Sequence, residues 1–356
     1  MPDRIERLRQ ALREKELAAM LISAPASVRY FFGFTGSNAL GLITAVRSLL
    51  VTDWRYRDQA AQEVEHAEVL IAYRDLFVPL KENRALPSGW RVGFEDHHLT
   101  CQQLSQLRKH FPQLKLTPTE RLLSQLAVPK EANELAALRQ AAAFACQTWE
   151  AIQPYLRLGV SEADLAAEIV YRSRKAGSEA DPFEPIVASG PRSALPHGRS
   201  TARRLQPGDM VVIDFGCVCA GYASDVTRTI AVGEPPARLR EVYHVVKEAG
   251  EQVYAALRPE MKAVALDQVA REFLKAKGFG EQFNHALGHG LGLDVHMLPR
   301  IGPESKDVIP FGSVLALEPG VYLPGMGGVR LEDDVLVTAG GCEILTPITR
   351  ELICVE

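Results

Sequence analysis

The stretch "MVVIDFGCVCAGYASDVTRTIAV", residues 210–232, constrains the chain more than any other. An apolar run, a short turn containing Gly221 and a second apolar run predict a β-hairpin. Yet each arm carries an aspartate, Asp214 and Asp225. If the chain reverses at residues 219 and 220, the two become cross-strand partners with Cβ atoms about 4.5–5.5 Å apart. Carboxylates that close repel each other unless a proton or a cation lies between them. A shifted register that leaves both in solvent is the other reading, and this hairpin alone does not decide.

The same stretch offers thiols as well. Cys217 and Cys219 form C-x-C rather than the C-x-x-C of redox motifs, and no second close pair completes a zinc site. The six cysteines are too scattered for a disulfide framework. Free cysteine is mostly a small buried hydrophobe, so both are expected to pack rather than react.

A second acidic hairpin lies in "SVLALEPGVYLPGMGGVRLEDDVLVT", residues 313–338, which reads as strand, Gly-rich connection, strand. Glu318 continues the alternation of Val314 and Ala316. Glu332 is expected in the returning strand, with Arg330 and Asp334 on its face. Five of the nine histidines fall between residues 197 and 296. "SGPRSALPHGRS" holds His197, and "FNHALGHGLGLDVHMLPRI" holds His285, His289 and His296. Glycine lets backbone approach a ligand closely, which suits such surroundings. His244 falls in a helical pattern and reads as a surface residue. The H-x-x-x-H spacing of His285 and His289 lacks the glutamate of helical zinc proteases. Four carboxylates and one imidazole would nevertheless suit two Mn²⁺-like ions, with Co²⁺ or Zn²⁺ as alternatives. Two such ions lower the pKa of a shared water.

A length of 356 residues favours two domains. Residues 1–128 read as an α/β domain. A helix is expected over 4–18, then strands in "LAAMLISA", "SVRYFFGFTGSNALGLITAVRSLLVTD", "HAEVLIAY" and "WRVGFED", and a helix in "TCQQLSQLRKHF". Residues 129–356 read as α+β. A long Ala-rich helix begins near Pro129, and Ser161 is placed to cap the next. A net charge of -4 without a Lys/Arg run speaks against nucleic acid as a partner. Neither a signal-peptide core nor an apolar run of about 18 residues is visible, so a cytoplasmic protein without a membrane span is expected.

At this point a family resemblance becomes visible. The motifs "SGPRSALPHG", "VVIDFG…GYASDVTRTI", "GHGLGLDVHMLPRI" and "LEPGVYLPGMGGVRLEDDVLVT" resemble the creatinase/methionine aminopeptidase metallopeptidases, and within them the prolidase and aminopeptidase P branch. "VRYFFGFTGSN" and "LLVTDWRYRDQA" are similar to that branch's N-terminal domain, so the likeness covers nearly the whole chain. It implies a creatinase-like first domain, a "pita-bread" catalytic second domain, and a homodimer. It implies metal ligands Asp214, Asp225, His289, Glu318 and Glu332, with Asp225 and Glu332 bridging the ions. It also implies Glu318 as general base, His197 and His296 at the substrate, and His285 near the leaving proline. Arg330 would steady the acids, and the Thr227 hydroxyl would stand behind them. The substrates would be proline-containing dipeptides or short peptides. The chain departs from the family pattern at Met297, where relatives commonly carry Glu, and at Ala316, where many carry Thr. Three alternatives stand beside the Xaa-Pro dipeptidase: an aminopeptidase for longer peptides, a creatinase-like amidinohydrolase, and a non-catalytic peptide-binding module.

Overall fold

Short apolar runs become strands in the first part of the chain. Strands β1 (Ala19–Ile22), β2 (Ala39–Thr44), β3 (Ser48–Asp53), β4 (Glu68–Ala72), β5 (Arg91–Phe94) and β6 (Lys115–Pro118) form one mixed sheet in the order β4-β3-β2-β1-β5-β6. Helices α1 (Pro2–Glu14), α2 (Pro25–Phe32), α3 (Arg57–Glu63), α4 (Phe77–Glu82), α5 (Cys101–His110) and α6 (Leu122–Leu126) join them. Leu21, Leu42, Val51 and Val92 meet Leu80 and Leu107 in its core. The computed structural model describes residues 2–356, and the chain divides between Ala127 and Val128 into two compact units.

"SVRYFF" is helical rather than the expected strand. Pro25 at the first turn presets the helical φ, and Gly33 at φ 74° ends the helix. Those punctuating residues outweigh the apolar run between them.

The second unit opens with α7 (Ala132–Ile152), where the Glu134 carboxylate accepts from the Glu131 N–H. Helix α8 (Glu162–Ala176) begins at Ser161, whose hydroxyl accepts from the Asp164 N–H at 3.0 Å, as the sequence implies. Strands β7 (Ile186–Ser189), β8 (Met210–Phe215), β9 (Val218–Cys219), β10 (Tyr222–Ala223) and β11 (Val226–Val232) follow. Helices α9 (Ala237–Ala256) and α10 (Ala263–Ala276) come next. The chain then runs through β12 (Gly288–Gly290), β13 (Met297–Ile301), β14 (Val314–Leu317), β15 (Gly320–Leu323), β16 (Gly327–Arg330), β17 (Asp333–Thr338), β18 (Gly341–Ile344) and β19 (Cys354–Val355). One sheet has the order β19-β11-β8-β7, the other β13-β12-β14-β17-β18. Trp149 of α7 and Ile169 of α8 pack on Val187, Val211 and Ile213 of the first sheet. Val246 of α9 and Leu266 of α10 pack with Leu315 and Val335 of the second.

Both acidic hairpins differ from expectation in detail. Asp214 stands opposite Thr227, not Asp225, because the reversal is centred on Ala220 and Gly221. Ala220 at φ 47° and Gly221 at φ 79° make that turn. Asp225 is therefore two residues from Asp214's direct partner, which keeps it on the same face as a diagonal neighbour. The second hairpin is a tandem: β14 pairs with β17, and β15 with β16. Glu318 and Glu332 lie in the gap between the two ladders, so Glu332 is not in a strand. Its N–H instead donates to the Thr227 carbonyl at 3.1 Å, which joins the two hairpins.

Candidate metal centre

Each candidate ligand sits where a strand ends or a glycine admits close backbone approach. His289 is the middle residue of β12, between Gly288 and Gly290. A Cβ on Gly288 would lie 2.0 Å from the Ala316 carbonyl oxygen, and one on Gly290 1.9 Å from that of Leu298. Only glycine fits on either side, and this holds the imidazole between two strands. His289 pairs with Ala316 and Ala316 with Asp334, so all three lie in one row across the sheet.

Asp225, His289 and Glu332 come together. One ligand atom from each lies within 4.8 Å of the others, and His289 Nε2 is 3.7 Å from an Asp225 oxygen. Asp214 and Glu318 are arranged around Arg330. The guanidinium donates to Asp214 Oδ2 at 2.6 Å, and its Nε lies 4.0 Å from a Glu318 oxygen. Thr227 accepts from Arg330 Nε at 3.1 Å and donates to Glu332 at 2.6 Å, so its hydroxyl orients both. The Asp225 N–H donates to Asp334, whose side chain lies behind the cluster.

Burial and the neighbouring carboxylates, Glu332 foremost, push Asp225 well above the usual carboxylate range. Burial does the same to Glu332, with Glu318 and Asp214 adding to it. Burial lifts Glu318 to about 7 against the pull of Arg330. Burial also lowers His289 to about 4, with His296 contributing, so its imidazole is neutral at physiological pH. Asp214 Oδ1 and Asp225 Oδ1 are buried without a hydrogen-bond partner among the described residues. Buried polar atoms are almost always paired, so two orphaned carboxylate oxygens in one acidic cluster call for a partner such as a cation. A carboxylate-rich cluster with one neutral imidazole and free oxygen atoms is the donor set of a hard divalent cation. The residues fit such an ion.

The remaining histidines surround this cluster unequally. His296 is exposed, with its ring 4.5 Å from that of His289. His197 is exposed on the loop after β7. His285 is largely enclosed, 5.5 Å from the Tyr322 ring, and its Nε2 has no partner among the described residues. Burial lowers it to about 4 as well, with Arg330 the next cause. Its loop is held from α10: Asp267 accepts from Arg271 at 2.8 and 2.9 Å and from the Leu287 N–H, while Arg271 donates to the His285 carbonyl. His244 is exposed on α9, as its helical pattern implies.

Sequence reading missed several supporting side chains. Tyr322 accepts from Arg330 at 2.9 Å, and Asp333 pairs with Arg228 at 2.6 Å within the core. The run Glu332-Asp333-Asp334 inside an apolar hairpin was the available signal. Cys217 is fully buried beside Val226 and Ile213, and burial raises its thiol; Cys219 is half-buried, with its thiol also raised. Neither is a reactive thiolate.

Residues 136–339 match the model of metallopeptidase family M24, and residues 4–126 that of the creatinase/prolidase N-terminal domain. The first match alone spans more than half of the chain. The chain belongs to metallopeptidase family M24. It is 33% identical to the Xaa-Pro dipeptidase of Pyrococcus furiosus over 99% of this chain and 100% of that one. A solved Xaa-Pro dipeptidase from Bacillus anthracis superimposes with a TM-score of 0.95 at 36% identity, covering 99% of both chains. An X-Pro aminopeptidase from Thermotoga maritima superimposes with a TM-score of 0.90, also at 36% identity and 99% coverage of both. The first unit is thus the creatinase-type domain and the second the pita-bread domain of an M24 metallopeptidase. Among the described residues, no helix is long and apolar enough to cross a membrane.

Proposed function

We propose that this M24 metallopeptidase is an Xaa-Pro dipeptidase whose metals are held by Asp214, Asp225, His289, Glu318 and Glu332. The observation that carries this reading is the buried, unpartnered carboxylate oxygens of Asp214 and Asp225 beside neutral His289. Two divalent cations, Mn²⁺ by preference of the oxygen-rich donor set, would supply Lewis acidity and an acidified water.

The chain's own residues do the rest. Asp225 and Glu332, both grouped with His289 and both felt by Asp214, would be the ligands shared by the two ions. Arg330 fixes Asp214 through one oxygen, and the other has no partner among the described residues. Glu318 takes the proton of the attacking water and passes it to the proline nitrogen as that bond breaks. His296, whose ring lies beside that of His289, and His197, next to the Pro196 carbonyl that Arg330 holds, would donate to the developing oxyanion. His285, enclosed beside Phe283 and Tyr322, would flank the leaving proline. An Xaa-Pro bond has no amide hydrogen and bends the chain, so a dedicated pocket is required.

The likeness to both a dipeptidase and an aminopeptidase at equal identity keeps cleavage of Xaa-Pro-Yaa peptides as the second reading. The test is metal-stripped protein reloaded with Mn²⁺ and given Ala-Pro and Ala-Pro-Ala. Cleavage of the dipeptide alone is expected; cleavage of the tripeptide at Ala-Pro makes it an aminopeptidase. The same proposal includes a homodimer, which sedimentation would read, and a cytoplasmic site of action. All six cysteines are free, in keeping with a reducing compartment.

A further inference from the structure

Glu162 is the first residue of α8 and is fully buried, yet it stands outside the candidate metal centre. Its Oε1 accepts from the Ser189 N–H at 2.9 Å and the Ser189 hydroxyl at 2.7 Å. Its Oε2 accepts from the Thr201 N–H at 3.0 Å and the Thr201 hydroxyl at 2.7 Å. Arg192 Nε donates to both oxygens, at 3.2 and 3.1 Å. The Ala163 N–H adds a bond to the Thr201 carbonyl at 2.9 Å.

These donors come from the two ends of one loop, residues 189–201, and that loop carries His197. Its middle is docked as well. The Gly328 N–H donates to the Ser193 hydroxyl at 2.8 Å, and Arg330 donates to the Pro196 carbonyl at 3.0 Å. A Cβ on Gly328 would lie 2.4 Å from the Ser193 carbonyl oxygen, so loop and strand meet backbone to backbone. Inside the loop, Arg192 also bonds the Arg199 carbonyl. His197 itself is exposed, so its position is set by this backbone.

We propose that Glu162 is a positioning residue for His197, fixing the loop that presents the imidazole by gripping both of its ends. The inference rests on the peptidase reading above, which places His197 at the substrate. A carboxylate is required because both oxygens must accept. The amide nitrogen of a glutamine can only donate, so Glu162→Gln keeps the shape and releases one end of the loop. A misplacement of about 1 Å at a positioned group costs on the order of 100-fold in rate.

The test uses the Mn²⁺-loaded protein on Ala-Pro, with Glu162→Gln, His197→Ala and the double variant. Glu162→Gln is expected to lower kcat about 10- to 100-fold with unchanged metal content. The double variant is expected to be no slower than His197→Ala alone. Full multiplication of the two losses, or wild-type kcat in folded Glu162→Gln, overturns the proposal. Should Glu162→Gln fail to fold, Thr201→Val weakens the same grip by removing its hydroxyl bond, leaving the Thr201 N–H bond in place, and enters the same cycle. Trypsin cleavage after the exposed Arg199 gives a readout independent of activity, expected to be faster in the variant. If the wild type cleaves no Xaa-Pro peptide, the peptidase reading fails by itself. The clamp is then judged on the trypsin rates, and equal rates overturn it.

Discussion

Asp225 and Asp333 are both buried acids in the same domain, and the protein treats them in opposite ways. Asp333 accepts from Arg228, Thr346, Tyr254 and Arg350, at distances between 2.6 and 3.1 Å. Arg228 in turn donates to the carbonyls of Thr227, Glu332 and Ile348, so this pair ties together the backbone around the ligands. Asp225 keeps an oxygen with no partner among the described residues, and carboxylates surround it. An isolated buried charge costs several kcal/mol unless it is paired. The fold supplies that pairing at Asp333 and withholds it at Asp225. Alternation explains how the two environments lie so close: Glu332 and Asp334 point to one side, Asp333 to the other. Asp333 has donors on both oxygens, whereas Asp214 and Asp225 each keep one oxygen without a partner among the described residues.

The contrast can be broken by substitution, and the largest effect is expected at Asp225. Asp225→Ala should abolish Ala-Pro hydrolysis while the melting temperature of the metal-stripped protein stays level or rises. A clear fall in that temperature would make Asp225 a structural acid. Asp333→Ala should do the reverse to stability by leaving Arg228 uncompensated. A loss of about 3–5 kcal/mol is expected by denaturant unfolding. Thr227→Val removes the hydroxyl that orients Glu332 and Arg330. It should lower metal affinity or activity about 10- to 100-fold, read by titration with Mn²⁺. Replacing Cys217 and Cys219 together with Ala should cost on the order of 1 kcal/mol and spare kcat.

A pH series sharpens the same contrast at Glu162. Burial raises this carboxyl, but the hydrogen bonds from Thr201 and Ser189 outweigh it and hold the group below its ordinary range. A depressed carboxyl adds stability above its unfolded pKa of about 4.3, and that stability is lost as pH falls through the folded value. The melting-temperature gap between wild type and Glu162→Gln should therefore be full at neutral pH and close in acid.

Much of this was legible from residues alone. Strand–turn–strand patterning located both acidic hairpins, and Ser161 marked the start of α8. The ligand candidates stood out because acids interrupted apolar runs. Register was not legible: Ala220 adopts a left-handed φ that no sequence rule assigns to alanine, and this moved Asp214 opposite Thr227. Nor was the break of the second hairpin into two ladders, which leaves Glu318 and Glu332 between them. The clamps at Glu162, Asp267 and Asp333 were hidden for another reason. The donors to Glu162 and Asp333 are distant in sequence, from Ser189 and Thr201 to Arg228, and only folding brings them together. At Asp267 the same is true of the Leu287 N–H but not of Arg271, four residues on.

The central claim is that the unpaired acids form a cation site, and calorimetric titration of metal-stripped protein with Mn²⁺ tests it most directly. Binding of about two ions per chain, with a rise in melting temperature that Asp225→Ala removes, is the predicted result. No binding, or the same binding in Asp225→Ala, would contradict it.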